Sequence, residues 1–308
     1  MLKNPLTWRQ ALRCFLAMHV GKKGINYLCG ITWFLLSMVI GVANDTIMKF
    51  LGTGYSLGQI VCLRYGFATL FLALFGVRGK NIKGMFMRMP KLHIIRAIFL
   101  LLAMSLYCQG LHKLPIATVM SLNFAIPLFI LVFARIFLKE KIRRDSVVAT
   151  IIGFVGVYCI FEPTNEGFST LAAILLLLSS MLFAALDIVN KKFVGDEGVF
   201  QMVFYTAIIT FIFSLPFALH AWILPSLRDI VLFIMLGGGA NLLLYCILKA
   251  FEKVNVSMVA PFRYLELILA VGVGFFLFNE IPSKNTICGS LVIITSTIYI
   301  VYAGIKDG

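Results

Sequence analysis

The stretch S-M-V-I-G-V-A-N-D-T-I-M-K-F at 37–50 returns as S-S-M-L-F-A-A-L-D-I-V-N-K-K-F at 179–193, and this echo decides how the chain folds. Ala43, Asp45 and Lys49 fall on Ala185, Asp187 and Lys191 at one constant shift. A later pair keeps the same order: L-x-K-L-P-I-A-T-V followed by F-L-K-E, and F-E-K-V-N-V-S-M-V followed by F-L-F-N-E. There Lys113, Val119 and Glu140 fall on Lys253, Val259 and Glu280. Repetition of this kind, sought before anything else in a sequence, means two copies of one structural unit.

The medium in which those copies fold follows from composition. Hydrophobic residues make up 61% of the 308, charged residues only 13%, and the mean hydropathy is +0.98. A soluble domain carries about 25% charged residues. Apolar runs recur at 27–48, 57–77, 93–111, 116–137, 146–161, 170–190, 199–221, 229–250, 255–278 and 286–305. A helix needs roughly 20 apolar residues to cross a bilayer core. The period-2 alternation of a barrel strand is absent, so helices are the remaining way to satisfy the backbone in lipid. The expectation is an all-α membrane protein of ten transmembrane helices in two five-helix halves, 27–161 and 168–305. Because five is odd, the second half must enter from the opposite side, as an inverted repeat. Such architecture places a substrate site near the midplane, between halves that rock to give alternating access.

Residues 1–26 hold Lys3, Arg9, Arg13, Lys22 and Lys23 with no acid. Trp8, Leu12, Phe15 and Leu16 would share one face of an interfacial helix, and a transit peptide would also be basic. A basic cytosolic extension is the favoured reading.

The net charge of +14 invites a nucleic-acid reading, but its distribution excludes it. Of the 27 Lys and Arg, only Lys49, Lys113, Arg228 and Lys284 lie in odd-numbered connections, and Arg64, Arg96 and Arg263 within spans. The remainder collect in the N-terminus, the even-numbered connections and the C-terminus. This positive-inside bias places both termini in the cytosol.

No catalytic or metal-binding pattern is present. The seven cysteines are scattered without C-x-x-C spacing, and the four histidines (His19, His93, His112, His220) lack ligand spacing. Neither a phosphate loop nor H-E-x-x-H nor G-x-S-x-G occurs. The reading therefore names no metal and no cofactor.

Charges inside apolar spans are costly and become the candidates for function. They are Asp45, Arg64, Asp187, Arg263 and Glu266; Arg96, near the start of its run, is expected to snorkel to the interface. Arg263 and Glu266 are three apart in A-P-F-R-Y-L-E-L (260–267), share a helix face and can pair, and are expected to bind substrate. Phe262 and Tyr264 beside them offer stacking surfaces, and Pro261 frees a backbone carbonyl. The competing reading is a structural ion pair that ties helices together. Asp45 and Asp187 each have a lysine four residues on, so pairs with Lys49 and Lys191 at helix ends compete with a gating or substrate role.

With ten spans, the five-helix repeat and the F-L-K-E and F-N-E ends, the chain resembles the EamA-type branch of the drug/metabolite transporter superfamily. Within it, G-I-T-W-F-L-L-S (30–37), A-N-D-T-I-M-K-F-L-G-T (43–53), A-L-D-I-V-N-K-K-F-V (185–194), F-Y-T-A-I-I-T (204–210) and A-P-F-R-Y-L-E-L are similar to the S-adenosylmethionine uptake transporters of obligate intracellular bacteria. The resemblance covers about 25–305. It implies a multi-pass inner-membrane protein that takes up S-adenosylmethionine, with exchange for S-adenosylhomocysteine as a further implication. Its partners would be that small molecule and the lipid bilayer. The sulfonium and ammonium would then meet Glu266, Asp187 or aromatic faces. The carboxylate would meet Arg263 or Arg64, and the adenine would stack on Tyr264 or Phe262; Asp45 completes the expected substrate set. The rival readings are an exporter of amino acids or other metabolites, an integral-membrane enzyme, and a receptor without transport.

Overall fold

The computed structural model describes residues 8–52, 54–78, 89–113, 122–160, 170–278 and 284–306. Among them all regular structure is helical: α1 (Trp8–Leu51), α2 (Leu57–Arg78), α3 (Pro90–Lys113), α4 (Ile126–Phe137), α5 (Arg144–Ile160), α6 (Thr170–Glu197), α7 (Val199–Leu219), α8 (Leu227–Lys253), α9 and α10 (Lys284–Lys306). The segment α9 is composite. It runs Val256–Val259, tightens into a 3-10 turn over Ala260–Tyr264 where Pro261 enters, and continues as Leu265–Phe278.

Seven stretches are long and apolar enough to cross a bilayer: Gly24–Met48, Leu57–Leu74, Pro90–Tyr107, Leu171–Glu197, Val199–Leu219, Leu227–Lys253 and Val256–Val273. Ile126–Phe137 and Ile287–Ala303 are apolar but shorter, and α5 has 17 residues. Residues 116–121, which the sequence reading places in the fourth span, lie outside the described residues. Large apolar side chains such as Leu70, Ile136, Phe217, Leu219 and Tyr302 are exposed on the outside of the bundle. On a soluble protein so much exposed apolar surface would mark a binding site or an aggregation hazard; here it is the face that meets lipid.

Two helix ends differ from expectation. The first helix continues back to Trp8, so the segment read as an extension joins α1 without a break. The sixth run does not stop at 190, because Lys191, Lys192, Asp196 and Glu197 remain helical. Gly198 alone then joins α6 to α7 at φ +80°, a left-handed backbone that glycine adopts without steric cost.

The strongest helix pairings all cross between the halves: α1 with α8, α3 with α6, α2 with α7, and α5 with α10. Exchanging the halves turns α1–α8 into α6–α3 and α2–α8 into α7–α3, and leaves α2–α7 and α5–α10 unchanged. Polar side chains bridge these seams. Ser179 Oγ donates to the Ala103 carbonyl at 2.7 Å (α6–α3), Ser296 Oγ to Ala149 at 2.6 Å (α10–α5), and Asn241 Nδ2 to Ala68 at 2.8 Å (α8–α2). Such interhelical hydrogen bonds replace the water that a soluble bundle would use. Gly237 lets α8 touch α2 backbone to backbone: a Cβ there would stand 2.9 Å from the Arg64 carbonyl oxygen and from the Ala68 nitrogen. The main core, centred on Phe34, Ile130, Met202, Phe251 and Phe262, lies where α1, α4, α6, α7, α8 and α9 converge.

Candidate substrate-binding site

One face of α1 supplies the floor of the site. Phe34, Gly41 and Asp45 recur at helical spacing and look toward α9. Above Phe34 stands the Arg263 guanidinium, 5.7 Å from the ring centroid in cation–π geometry. The carboxylate of Glu266 rests beside Gly41, whose missing side chain makes the room: a Cβ there would lie 3.3 Å from Glu266 Oε1. Asp45, one turn further along α1, is exposed, so its carboxylate keeps solvent access within reach of this cluster. Arg64 of α2 lies within Coulombic range of Asp45, and Asp45 and Arg263 both lie within range of Glu266.

Five of the seven residues expected from the sequence therefore converge: Asp45, Arg64, Asp187, Arg263 and Glu266. Their pairing is not the one that spacing along the chain suggests. Arg263 binds Asp187 of α6 through Nη2, and not Glu266 three residues away. The reason is the 3-10 turn, which ends at Tyr264 and separates the two side chains by a change of helix type. Nor does Asp187 pair with Lys191. The Lys191 ammonium donates to the Phe251 and Val254 carbonyls and closes the C-terminus of α8, where carbonyls lack helical partners. The side chain of Lys49, the expected partner of Asp45, lies outside the described residues.

Phe262 and Tyr264 stand apart from the other five. Both are 0% exposed, Phe262 in the main core and Tyr264 against Phe124 and Gly153. The same 3-10 turn that delivers Arg263 to α6 rotates these rings into packing, so neither offers a face to a ligand in this conformation. Arg64 is 7% exposed; its Nη1 meets Met48 Sδ at 3.2 Å and its guanidinium lies 5.5 Å from the Tyr65 ring centroid. Among the described residues Arg64 Nε and Arg263 Nε are buried without a hydrogen-bond partner. No group of His, Cys, Asp and Glu with metal-holding geometry occurs among the described residues.

Sequence reasoning missed two features. Phe34 as the platform for Arg263 carried no signal beyond its apolar type. Arg96 does not snorkel: it is 0% exposed, with Nε donating to Asn190 Oδ1 at 2.7 Å and Nη1 to the Met202 carbonyl at 3.0 Å. Its acidic neighbour Glu197 lies in a charged run that reads as a connection. The i,i+3 spacing of His93 and Arg96 was the available clue.

The pattern of this bundle has known counterparts. The EamA-like transporter family profile matches residues 28–162 and again 170–302. A protein of Rickettsia conorii named as an S-adenosylmethionine uptake transporter is 40% identical over 279 residues, which cover 90% of this chain and 94% of that one. Its counterpart in Rickettsia bellii is 39% identical over 90% and 95%. A protein of Pseudomonas aeruginosa named as a pseudopaline exporter is 23% identical over 86% of this chain and 92% of that one. A crystal structure at 15% identity superimposes with a TM-score of 0.72 over 91% of this chain and 97% of that one, a likeness of fold alone. Both halves carry the family pattern over nearly their whole length, and the chain therefore belongs to the EamA-like transporter family, as a multi-pass inner-membrane transporter and not an enzyme.

Proposed function

We propose that this chain takes up S-adenosylmethionine by alternating access, in exchange for S-adenosylhomocysteine. The observation that carries the reading is the charge balance of the interior site. Asp45, Asp187 and Glu266 outnumber Arg64 and Arg263, and Asp45 and Glu266, which have no ion pair among the described residues, keep solvent access where α1, α2 and α9 approach one another. S-adenosylmethionine carries a sulfonium, an ammonium and a carboxylate. Asp45 and Glu266 would meet the two cationic centres, while the guanidinium groups of Arg64 and Arg263 would meet the carboxylate. The Rickettsia relatives named for this substrate support the same choice.

In this reading the ten helical segments are ten spans, arranged as an inverted repeat of residues 27–161 and 168–305, with both termini in the cytosol. The exchange symmetry of the helix pairings and the twofold family match support it. Substrate would sit where the halves meet, and rocking of one against the other would expose it to each side in turn.

The test is counterflow in proteoliposomes. Liposomes loaded with S-adenosylhomocysteine should accumulate labelled S-adenosylmethionine saturably, and empty liposomes should not. Glu266→Gln should lower the rate at least tenfold with unchanged protein in the membrane. Absence of counterflow by reconstituted, monodisperse protein would sink the substrate claim; outward movement of amino acids instead would favour the exporter reading.

A further inference from the structure

A second buried polar cluster lies away from the substrate site, where α3 begins and α6 ends. His93, Arg96 and Glu197 are 0%, 0% and 3% exposed and take no part in the substrate site described above. Arg96 Nη1 faces His93 Nδ1 at 3.4 Å, and His93 Nε2 faces Glu197 Oε1 at 3.7 Å. The ring is stacked against Tyr205 of α7 at 4.8 Å between centroids. The groups facing it are thus Arg96 from α3, Glu197 and (across Arg96) Asn190 from α6, and Tyr205 with the Met202 carbonyl from α7.

The tautomer follows from the partners. A guanidinium has donors only, so Nδ1 facing Arg96 must carry a lone pair, and the ring's single proton lies on Nε2, pointing at Glu197. The imidazole is neutral here and relays between a cation and an anion. Yet the cluster is incompletely satisfied: both Glu197 carboxylate oxygens, His93 Nε2 and Arg96 Nη2 lack hydrogen-bond partners among the described residues. Unpaired buried groups of this kind are costly and are relieved by a proton, by water or by movement.

We propose that His93, Arg96 and Glu197 form a proton-binding site whose occupation releases α3 from α6 and α7. The proton comes from water and rests on Nδ1, which displaces the Arg96 hydrogen bond. Two cations, one turn apart on the buried face of α3, then share one carboxylate. The uncompensated charge is penalised by burial, and separating the helices so that water enters removes the penalty. The seam is already thin on its outer side, where Met89, Leu92, Ile95, Val189 and Phe193 line an apolar groove.

The corresponding positions of the other half argue that this is a feature of one end. His93, Arg96, Met202 and Glu197 correspond to Phe233, Leu236, Ile60 and Tyr55 in the repeat. There Phe233 packs with Leu236 and Ile60 in an apolar cluster, and Tyr55 lies edge-on to Phe233 at 5.4 Å. Among the described residues the titratable groups of that end include Tyr55 and Asp229, joined at 2.7 Å, and no histidine stands where His93 does, so protonation near neutral pH biases opening of the α3–α6 end.

The closed cluster holds His93 neutral and so binds fewer protons than the open one; acid therefore favours the open form. The window begins where a hydrated histidine takes up its proton, near pH ~6.5. Below it the open fraction should rise up to about tenfold per pH unit for one proton. The experiment places spin labels at Lys91→Cys and Lys192→Cys, both exposed, on the full chain with its native cysteines replaced, in lipid nanodiscs without substrate. Between pH 8 and pH 5.5 a longer label distance should appear and grow. His93→Gln, whose amide can accept from Arg96 and donate to Glu197 without titrating, should stay at the short distance throughout. Glu197→Gln should show more of the long distance at pH 8 yet keep the pH response. A distance distribution that is unchanged by pH in the parent protein overturns the proposal. So does a pH response in His93→Gln equal to the parent's, or loss of the response in Glu197→Gln alone. Because no substrate is present, the result is independent of whether counterflow succeeds.

Discussion

Asp187 and Arg263 stand on different helices of the second half, α6 and α9, and meet in the interior, with side chains only 8% and 19% exposed. Burying two charges is repaid only while both are present; removal of one partner of a buried pair typically costs about 3 kcal/mol or more. Asp187→Asn should therefore lower thermal stability in detergent, as a drop in the unfolding midpoint. The double variant Asp187→Asn with Arg263→Gln should regain much of that midpoint while transport stays lost. Recovery of transport together with stability would mean that the pair only ties helices together. Which charges would be buried was legible in the sequence, because Asp45, Arg64, Asp187, Arg263 and Glu266 interrupt apolar runs. Which of them pair was not. Spacing along one helix favours Arg263 with Glu266, but a 3-10 turn intervened, and tertiary approach of α6 supplied a nearer anion.

At the scale of the element, the contact between α8 and α2 rests on the bare backbone of Gly237. A methyl group there meets the Arg64 carbonyl and the Ala68 nitrogen at 2.9 Å and the Phe67 Cβ at 2.7 Å, and backbone does not yield as a flexible side chain does. Gly237→Ala should cost about 1–3 kcal/mol, the usual range for overpacking a filled core. It should also shift Arg64, whose carbonyl forms that contact. The measurement is the unfolding midpoint together with the counterflow rate. A variant as stable and active as the parent would show that the helices can separate there freely. Helix boundaries were the least legible part of the sequence. The charged run from Lys191 to Glu197 reads as a connection, yet α6 continues through it, because Lys191 reaches the open end of α8 and Glu197 turns toward α3.

For the whole molecule, the proposed inverted arrangement makes a prediction that needs no substrate. Protease sites added at the two ends of the chain should both be cut in inside-out vesicles and both resist in intact cells. Opposite behaviour of the two ends would require an odd number of spans. The repeat was readable from a handful of matched residues, and the helix pairings carry the same exchange symmetry. Its breaking was not readable, since the differences between the halves lie at positions that look unremarkable one at a time.

The contrast between Phe233 with Leu236 at one end and His93 with Arg96 at the other has a thermal consequence. Closing the first end removes apolar surface from water and carries a large negative heat-capacity change, so that closure weakens on cooling. Closing the second end mates polar groups and lacks that signature. Temperature alone should then tilt the carrier: cold loosens the oily seal first, and warmth tightens it, so the side that a resting molecule faces becomes a function of the thermometer.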